Sequence, residues 1–315
     1  MAVNLYARVK VKRSERKDEE ATFKLSDFRE ALTREISQLT LGELSSESIL
    51  KPLKLAVEAV LREAKRKIKG YIPKVEVEFS SQIPVGAGLG SSASLASATI
   101  AAVSHLVGLS LSKDRIYELT FIPERLIHFN PSGIDQATVI YGGVIFFRRS
   151  LKPEKLDVKA MLPIVVGDTG VRRLTGPLVQ SLSGKLKRSL TARSFLDEAE
   201  KLALTAVKAL RTGDLSLLGS LMDRNQEMLA KLEVSHESLE KLIWAARNAG
   251  ALGAKLTGAG GGGCMIALTR PEDQAKVAEA IRKAGGKPYL VNVDHEGLKV
   301  WSREASPSPC KSEFL

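Results

Sequence analysis

Cysteine is scarce in this chain. Cys264 and Cys310 are its two cysteines among 315 residues, and histidine occurs four times. That excludes a disulfide framework and a cysteine-rich zinc site. His105, His236 and His295 are isolated from one another and lack the spacing of metal ligands. Aromatic residues make up 5%. No alternation of aromatic and basic residues of the kind that stacks nucleobases is present. No uninterrupted apolar run of about 18 residues occurs, so no membrane-spanning helix is expected. Residues 1–20 carry scattered charges and no apolar core, so no signal peptide is expected and a cytoplasmic location is.

What is present is ordinary for a globular protein. Hydrophobic residues are 44% and charged residues 26%, and the mean hydropathy is -0.04. The length suits about two domains. Formal charge is +11, with a pI near 9.6, which favours anionic partners such as phosphorylated small molecules. The densest basic runs are 62–69 and 185–193, and the charge by itself selects no function.

Periodicity outlines an α+β chain in two lobes. Alternation predicts strands over 3–11, 74–79, 141–147, 162–166 and 288–293. Helical spacing predicts helices over 49–69, 91–107, 178–190, 195–210, 215–232, 235–248 and 271–284, and one over 111–126 broken at Pro123. Ser235 is the expected cap of the 235–248 helix and Gly250 its stop. Trp244, Met222 and Met228 read as core. A weakly patterned stretch near 148–158 could join the lobes. The expected division is 1–150 and 151–300, followed by a disordered tail over 301–315.

Three segments carry chemistry. The first is Pro84-Val85-Gly86-Ala87-Gly88-Leu89-Gly90-Ser91-Ser92-Ala93-Ser94. Its glycines let the backbone approach a ligand, and the helix start that follows presents free N–H groups to a phosphate. It is neither a Walker loop nor a Rossmann fingerprint. The second runs from Glu124 to Asp135, where Asn130-Pro131-Ser132-Gly133 makes a sharp turn and presents Asp135 just beyond it. A carboxylate there can orient an attacking hydroxyl and take its proton. Read alone, Asp135 fits an Asx turn equally well, and Glu124 a surface charge. The third, residues 255–264, has five glycines in the six positions 258–263, between apolar strands. Cys264 opens the second of those strands as a small core residue.

Taken together, the three stretches resemble the GHMP kinase superfamily, with the mevalonate kinase branch the nearest pattern; Gly167-Asp168-Thr169-Gly170-Val171-Arg172-Arg173 resembles a further family segment. The resemblance runs from about Val3 to Val300. It implies a two-lobed fold, with an N-terminal lobe like ribosomal protein S5 domain 2 and a ferredoxin-like C-terminal lobe. It also implies ATP-dependent phosphorylation of the 5-hydroxyl of mevalonate with Mg2+, in isoprenoid biosynthesis. On that resemblance residues 84–94 wrap the ATP phosphates, Ser92 and Glu124 hold Mg2+, and Asp135 accepts the proton. His128 and Thr175 lie near substrate or phosphate, and residues 258–263 shape the pocket. Mevalonate and ATP are the implied partners, with a homodimer possible and neither nucleic acid nor membrane.

The sequence departs from the family in two ways. The family's first motif, which carries a catalytic lysine, has no counterpart, and the expectation is a start assigned too late; a truncated or inactive chain is the alternative. Phe129 and Ile122-Pro123 replace smaller or polar residues and bear on the acceptor pocket. Other readings inside the superfamily are phosphomevalonate kinase, which Arg172 and Arg173 would suit, and a decarboxylase, which the intact Ile134-Asp135 disfavours. Outside catalysis stand an ATP-binding module and a basic nucleic-acid-binding protein.

Overall fold

The computed structural model describes residues 1–14, 21–25, 46–69, 72–84, 86–128, 130–149, 151–158, 160–172 and 175–302. Of the readings above, those on Val85, Phe129, Arg173, Cys310 and residues 303–315, and on the Thr175 side chain, lie outside the described residues.

The N-terminal lobe is a three-stranded sheet of β1 (Ala7–Arg13), β2 (Ala21–Leu25) and β3 (Val75–Ser81), in the order β1-β3-β2. β1 runs antiparallel to β3 and β2 parallel to it. Along β3, Val75, Val77 and Phe79 point inward in strict alternation. They meet helices α1 (Ser46–Lys67), α2 (Ser91–Leu106) and α3 (Lys113–His128) in one core. The short helix α4 (Ile134–Tyr141) and the hairpin β4 (Val144–Phe146)–β5 (Glu154–Leu156) complete this part.

The C-terminal lobe is built on an antiparallel sheet of β6 (Ile164–Asp168), β7 (Gly253–Leu256), β8 (Cys264–Leu268) and β9 (Lys287–Val291), in the order β7-β8-β6-β9. A β-helix-β-β-helix-β chain with this order is the ferredoxin-like arrangement, as expected. Helices α5 (Thr175–Arg188), α6 (Leu190–Thr212), α7 (Leu215–Lys231) and α8 (Glu237–Asn248) fill the first crossover, and α9 (Gln274–Lys283) the second. Alternation along β8 splits two cores: Met265 and Ala267 face α8 and α9, whereas Cys264 and Leu268 face the other way. That second face holds Ala87, Leu89, Met1, Val3 and Leu5. The glycine turn of the N-terminal lobe is thus seated on the C-terminal sheet.

Several local expectations are corrected. Helix α3 runs through Pro123 without breaking. Proline removes one amide donor, but the stripe Ile116, Leu119, Thr120, Pro123, Glu124 is buried as a unit, and packing outweighs that one bond. Trp244 is 69% exposed, because the buried stripe of α8 is Leu239, Leu242, Ile243 and Ala246 and one residue past Ile243 the helix has turned away from the core. His236, not Ser235, caps α8, accepting from the Ser238 amide; Ser235 instead donates to Glu240 Oε1 (2.5 Å). The first strand begins at Ala7, and Val3 forms an isolated bridge to Val293. The strand expected over 141–147 is only Val144–Phe146. The stretch near 148–158 contains β5, paired to β4.

Candidate active site

The first glycine turn leads from β3 into α2. Gly90 is the cap residue, in the left-handed region at φ 69°, and no side chain caps the helix. Ser94 closes the first turn, its amide and its hydroxyl both donating to Gly90 O at 2.9 Å. The amides before it start a 16-residue helix whose dipole points its positive end at the turn. An uncapped helix N-terminus beside a glycine turn is suited to a phosphate.

Asp135 sits in the first turn of α4, just beyond the left-handed cap residue Gly133. A methyl placed on Gly90 would lie 3.8 Å from Asp135 Cβ and 3.9 Å from its carboxyl carbon. The acidic side chain therefore stands directly over the glycine turn. Met1, which packs partly buried on the second core of the C-terminal lobe, lines the same cavity as Asp135.

Glu124 comes from the last turns of α3 and is buried. Its Oε1 has no hydrogen-bond partner, and its Oε2 lies 3.7 Å from His128 Nε2. Burial pushes its pKa up to about 7, helped by the charge of Asp135 and opposed by a hydrogen bond with the Ser92 side chain. Ser92, His128 and Asp135 thus each lie near Glu124. Ala87 and Ala93 are fully buried and serve packing.

A cavity of about 2410 Å³ opens here, lined by Gly88, Gly90, Glu124, Asp135, Thr257 and Gly258 among others, and runs on along β1. It exceeds the usual 300–1,000 Å³ of a single small-ligand pocket and has room for a nucleotide and a second small molecule. Gln136 also lines it, buried, with an amide nitrogen that has no partner. No sequence signal marks this residue, which follows Asp135 in a helix too short to show a period.

The second glycine turn reaches the cavity at its near edge. Beyond Ala259 it is tied to the protein: Gly261 N donates to Val234 O, Gly263 N to Val171 O and Cys264 N to Ala87 O, at 2.8–3.0 Å. Thr169 donates to Gly263 O from both its amide (3.0 Å) and its hydroxyl (2.7 Å). Residues 168–171 thus clamp the second turn, and the second turn clamps the first. Arg172 Nη1 lies 3.7 Å from Asp168 Oδ2.

The family model described as GHMP kinases N terminal domain matches residues 52–143, and that described as GHMP kinases C terminal matches 206–287. A mevalonate kinase of Pyrococcus furiosus is 43% identical over 260 residues, covering 80% of this chain and 75% of that protein. The chain belongs to the GHMP kinase family. Its relatives place it in the mevalonate kinase branch. The family fold is equally clear in solved structures. Methanococcus jannaschii mevalonate kinase superposes with a TM-score of 0.74 at 25% identity, covering 93% of this chain and 90% of that one. L. major mevalonate kinase, solved in complex with R-mevalonate, gives 0.77 at 22% identity, covering 92% and 87%.

Proposed function

We propose that this chain transfers the γ-phosphoryl group of ATP to the 5-hydroxyl of mevalonate. The observation that carries the reading is the Asp135 carboxyl standing over Gly90, at the mouth of the uncapped helix α2. The α2 amides bind phosphate oxygens through the helix N-terminus. Asp135 orients the acceptor hydroxyl toward the γ-phosphorus and takes its proton as the new P–O bond forms and ADP departs. Most of the rate comes from this placement.

Mg2+ fits the residues present. Glu124 Oε1 is a buried acceptor without a partner, and the Ser92 side chain bonds to the same carboxylate. One or two protein oxygens plus phosphate suit Mg2+, which keeps several waters. Among the described residues no cluster of three His, Cys, Asp or Glu could hold a metal without help. Ser92 and Glu124 would hold the ion, which when bound supplies charge neutralisation of the phosphates. Glu124 must give up its proton to take that role, and its pKa of about 7 keeps it poised to do so.

The test is phosphoryl transfer with ATP, Mg2+ and a panel of alcohols including (R)-mevalonate and 5-phosphomevalonate, the product read by 31P NMR. The expected product is the C5 monoester of mevalonate. Asp135→Asn should lower kcat by about a hundredfold or more with nucleotide affinity within about twofold. Near-parental turnover in that variant overturns the role of Asp135, and transfer only to 5-phosphomevalonate moves the substrate to the next alcohol of the superfamily.

A further inference from the structure

After β9 the chain crosses back to the N-terminal lobe. Val293 bridges Val3, Asp294 N donates to Ala2 O (3.0 Å) and Gly143 N donates to Asp294 O (2.7 Å). Leu298 N donates to Ile140 O (3.2 Å), and Lys113 Nζ donates to Glu296 O (2.7 Å). The Leu298 side chain packs on the core of the N-terminal lobe. Gly142 and Gly297 meet backbone to backbone at φ 71° and 70°. A methyl on Gly297 would come within 2.5 Å of Gly142 N and 2.7 Å of Ile140 O.

These contacts share a target. Ile140 ends the buried stripe of α4, and Gly142 is its C-terminal cap. At the other end of the same two-turn helix, about 9 Å away along the axis, stands Asp135 against Gly90. A short hydrogen-bonded helix moves as one body, so what fixes its last turn fixes its first.

We propose that residues 293–298 form a strap by which the C-terminal lobe sets the position of Asp135, with Gly297 as the positioning residue. Nothing larger than glycine allows the approach at which the strap holds α4. The inference rests on Asp135 acting as proposed above. It adds that the proton acceptor is placed by a segment from the opposite lobe and not by its own turn alone.

The experiment compares four variants of the full chain with the parent, reading kcat, KM for ATP and Tm. Gly297→Ala should lower kcat by about tenfold or more and leave KM for ATP within about twofold, since a displacement of about 1 Å is enough for such a loss. Lys113→Met, which removes one tie and adds no bulk, should lower kcat about two- to fivefold with Tm unchanged. Gly285→Ala is the control for backbone strain: Gly285 has φ 94° and nothing within 4 Å of the added methyl, so this variant should lose Tm and keep kcat. A folded Gly297→Ala with kcat within twofold of the parent overturns the proposal. So does a Gly285→Ala variant that loses as much kcat as Gly297→Ala for the same loss of Tm. If Gly297→Ala does not fold, Lys113→Met decides, and parental kcat there overturns the strap. Asp135→Asn separates the two readings: if it is inactive while the strap variants are normal, only the strap fails, whereas if it is active the role of Asp135 fails first.

Discussion

The two glycine-rich turns meet at one cavity and are used in opposite ways. In the first, Gly90 opens α2 with no side-chain cap, so the leading amides are left for a ligand. In the second, the backbone of Gly261, Gly263 and Cys264 is bonded to Val234, Val171, Thr169 and Ala87. One turn presents its polar groups and the other uses them to hold the first in place. Both turns are rich in glycine; what separates them is where the backbone hydrogen bonds go. A glycine-rich stretch is therefore evidence of close approach, and only the partner says whether that partner is protein or ligand.

The largest effect expected from this contrast is at Gly263. A methyl there would lie 2.6 Å from Ala87 O, at a φ of 75°. Overpacking against backbone costs about 1–3 kcal/mol, and left-handed strain adds about 1–2 kcal/mol. Gly263→Ala should thus lose about 2–5 kcal/mol in urea unfolding, with nucleotide affinity falling only because the first turn loses its seat. If instead stability holds and ATP affinity drops, the second turn faces the ligand and the contrast is broken.

Next in size is Glu124, on the ligand-facing side. An ordinary glutamate has a pKa of 4.5, and burial brings this one to about 7. Between those values the folded chain keeps a proton that the unfolded chain has released. Its contribution to stability therefore falls as pH rises from about 4.5 to 7, then levels off. Glu124→Gln removes that loss. The nucleotide-free variant should gain up to about 3 kcal/mol over the parent at pH 8 and far less at pH 5, read from urea midpoints. The same variant should lose Mg2+-nucleotide affinity. A parental pH dependence would show that the buried carboxylate is not held at a cost for function.

How much of this was legible in the sequence depends on periodicity. Helices α2, α7 and α8 and strands β3 and β8 are long or regular enough that the apolar spacing gives them away; Asp135 is marked by the turn before it, and the roles of Ser92 and Glu124 are implied only by the family resemblance. Helix α4 was not legible, because eight residues are too few to show a helical period and the left-handed Gly133 that starts it leaves no pattern. The unbroken α3 was hidden by a local rule, proline as helix breaker, that tertiary burial overrode. The strap over 293–298 has no period at all: its bonds run to residues about 150 or more positions away, and only the folded chain brings them together.

The smallest effect is the sharpest test of the contrast, because it deletes one hydroxyl from each side. Ser92 lies in the first turn of α2 and bonds to Glu124; Thr169 Oγ1 donates to Gly263 O at 2.7 Å. Each hydrogen bond has a net value of about 1 kcal/mol, so the changes are matched in size and should differ in where they appear. Ser92→Ala should weaken Mg2+-nucleotide binding about fivefold in calorimetric titration, with a smaller change in Tm than Thr169→Val, since the carboxylate that Ser92 bonds to lines the ligand cavity. Thr169→Val should lose about 1 kcal/mol in urea unfolding with nucleotide affinity within about twofold, since the clamp loses a bond that the ligand does not touch. Affinity lost in both, or stability lost in both, would mean that the two turns act as a single ligand-binding unit and that the division of labour between them is wrong.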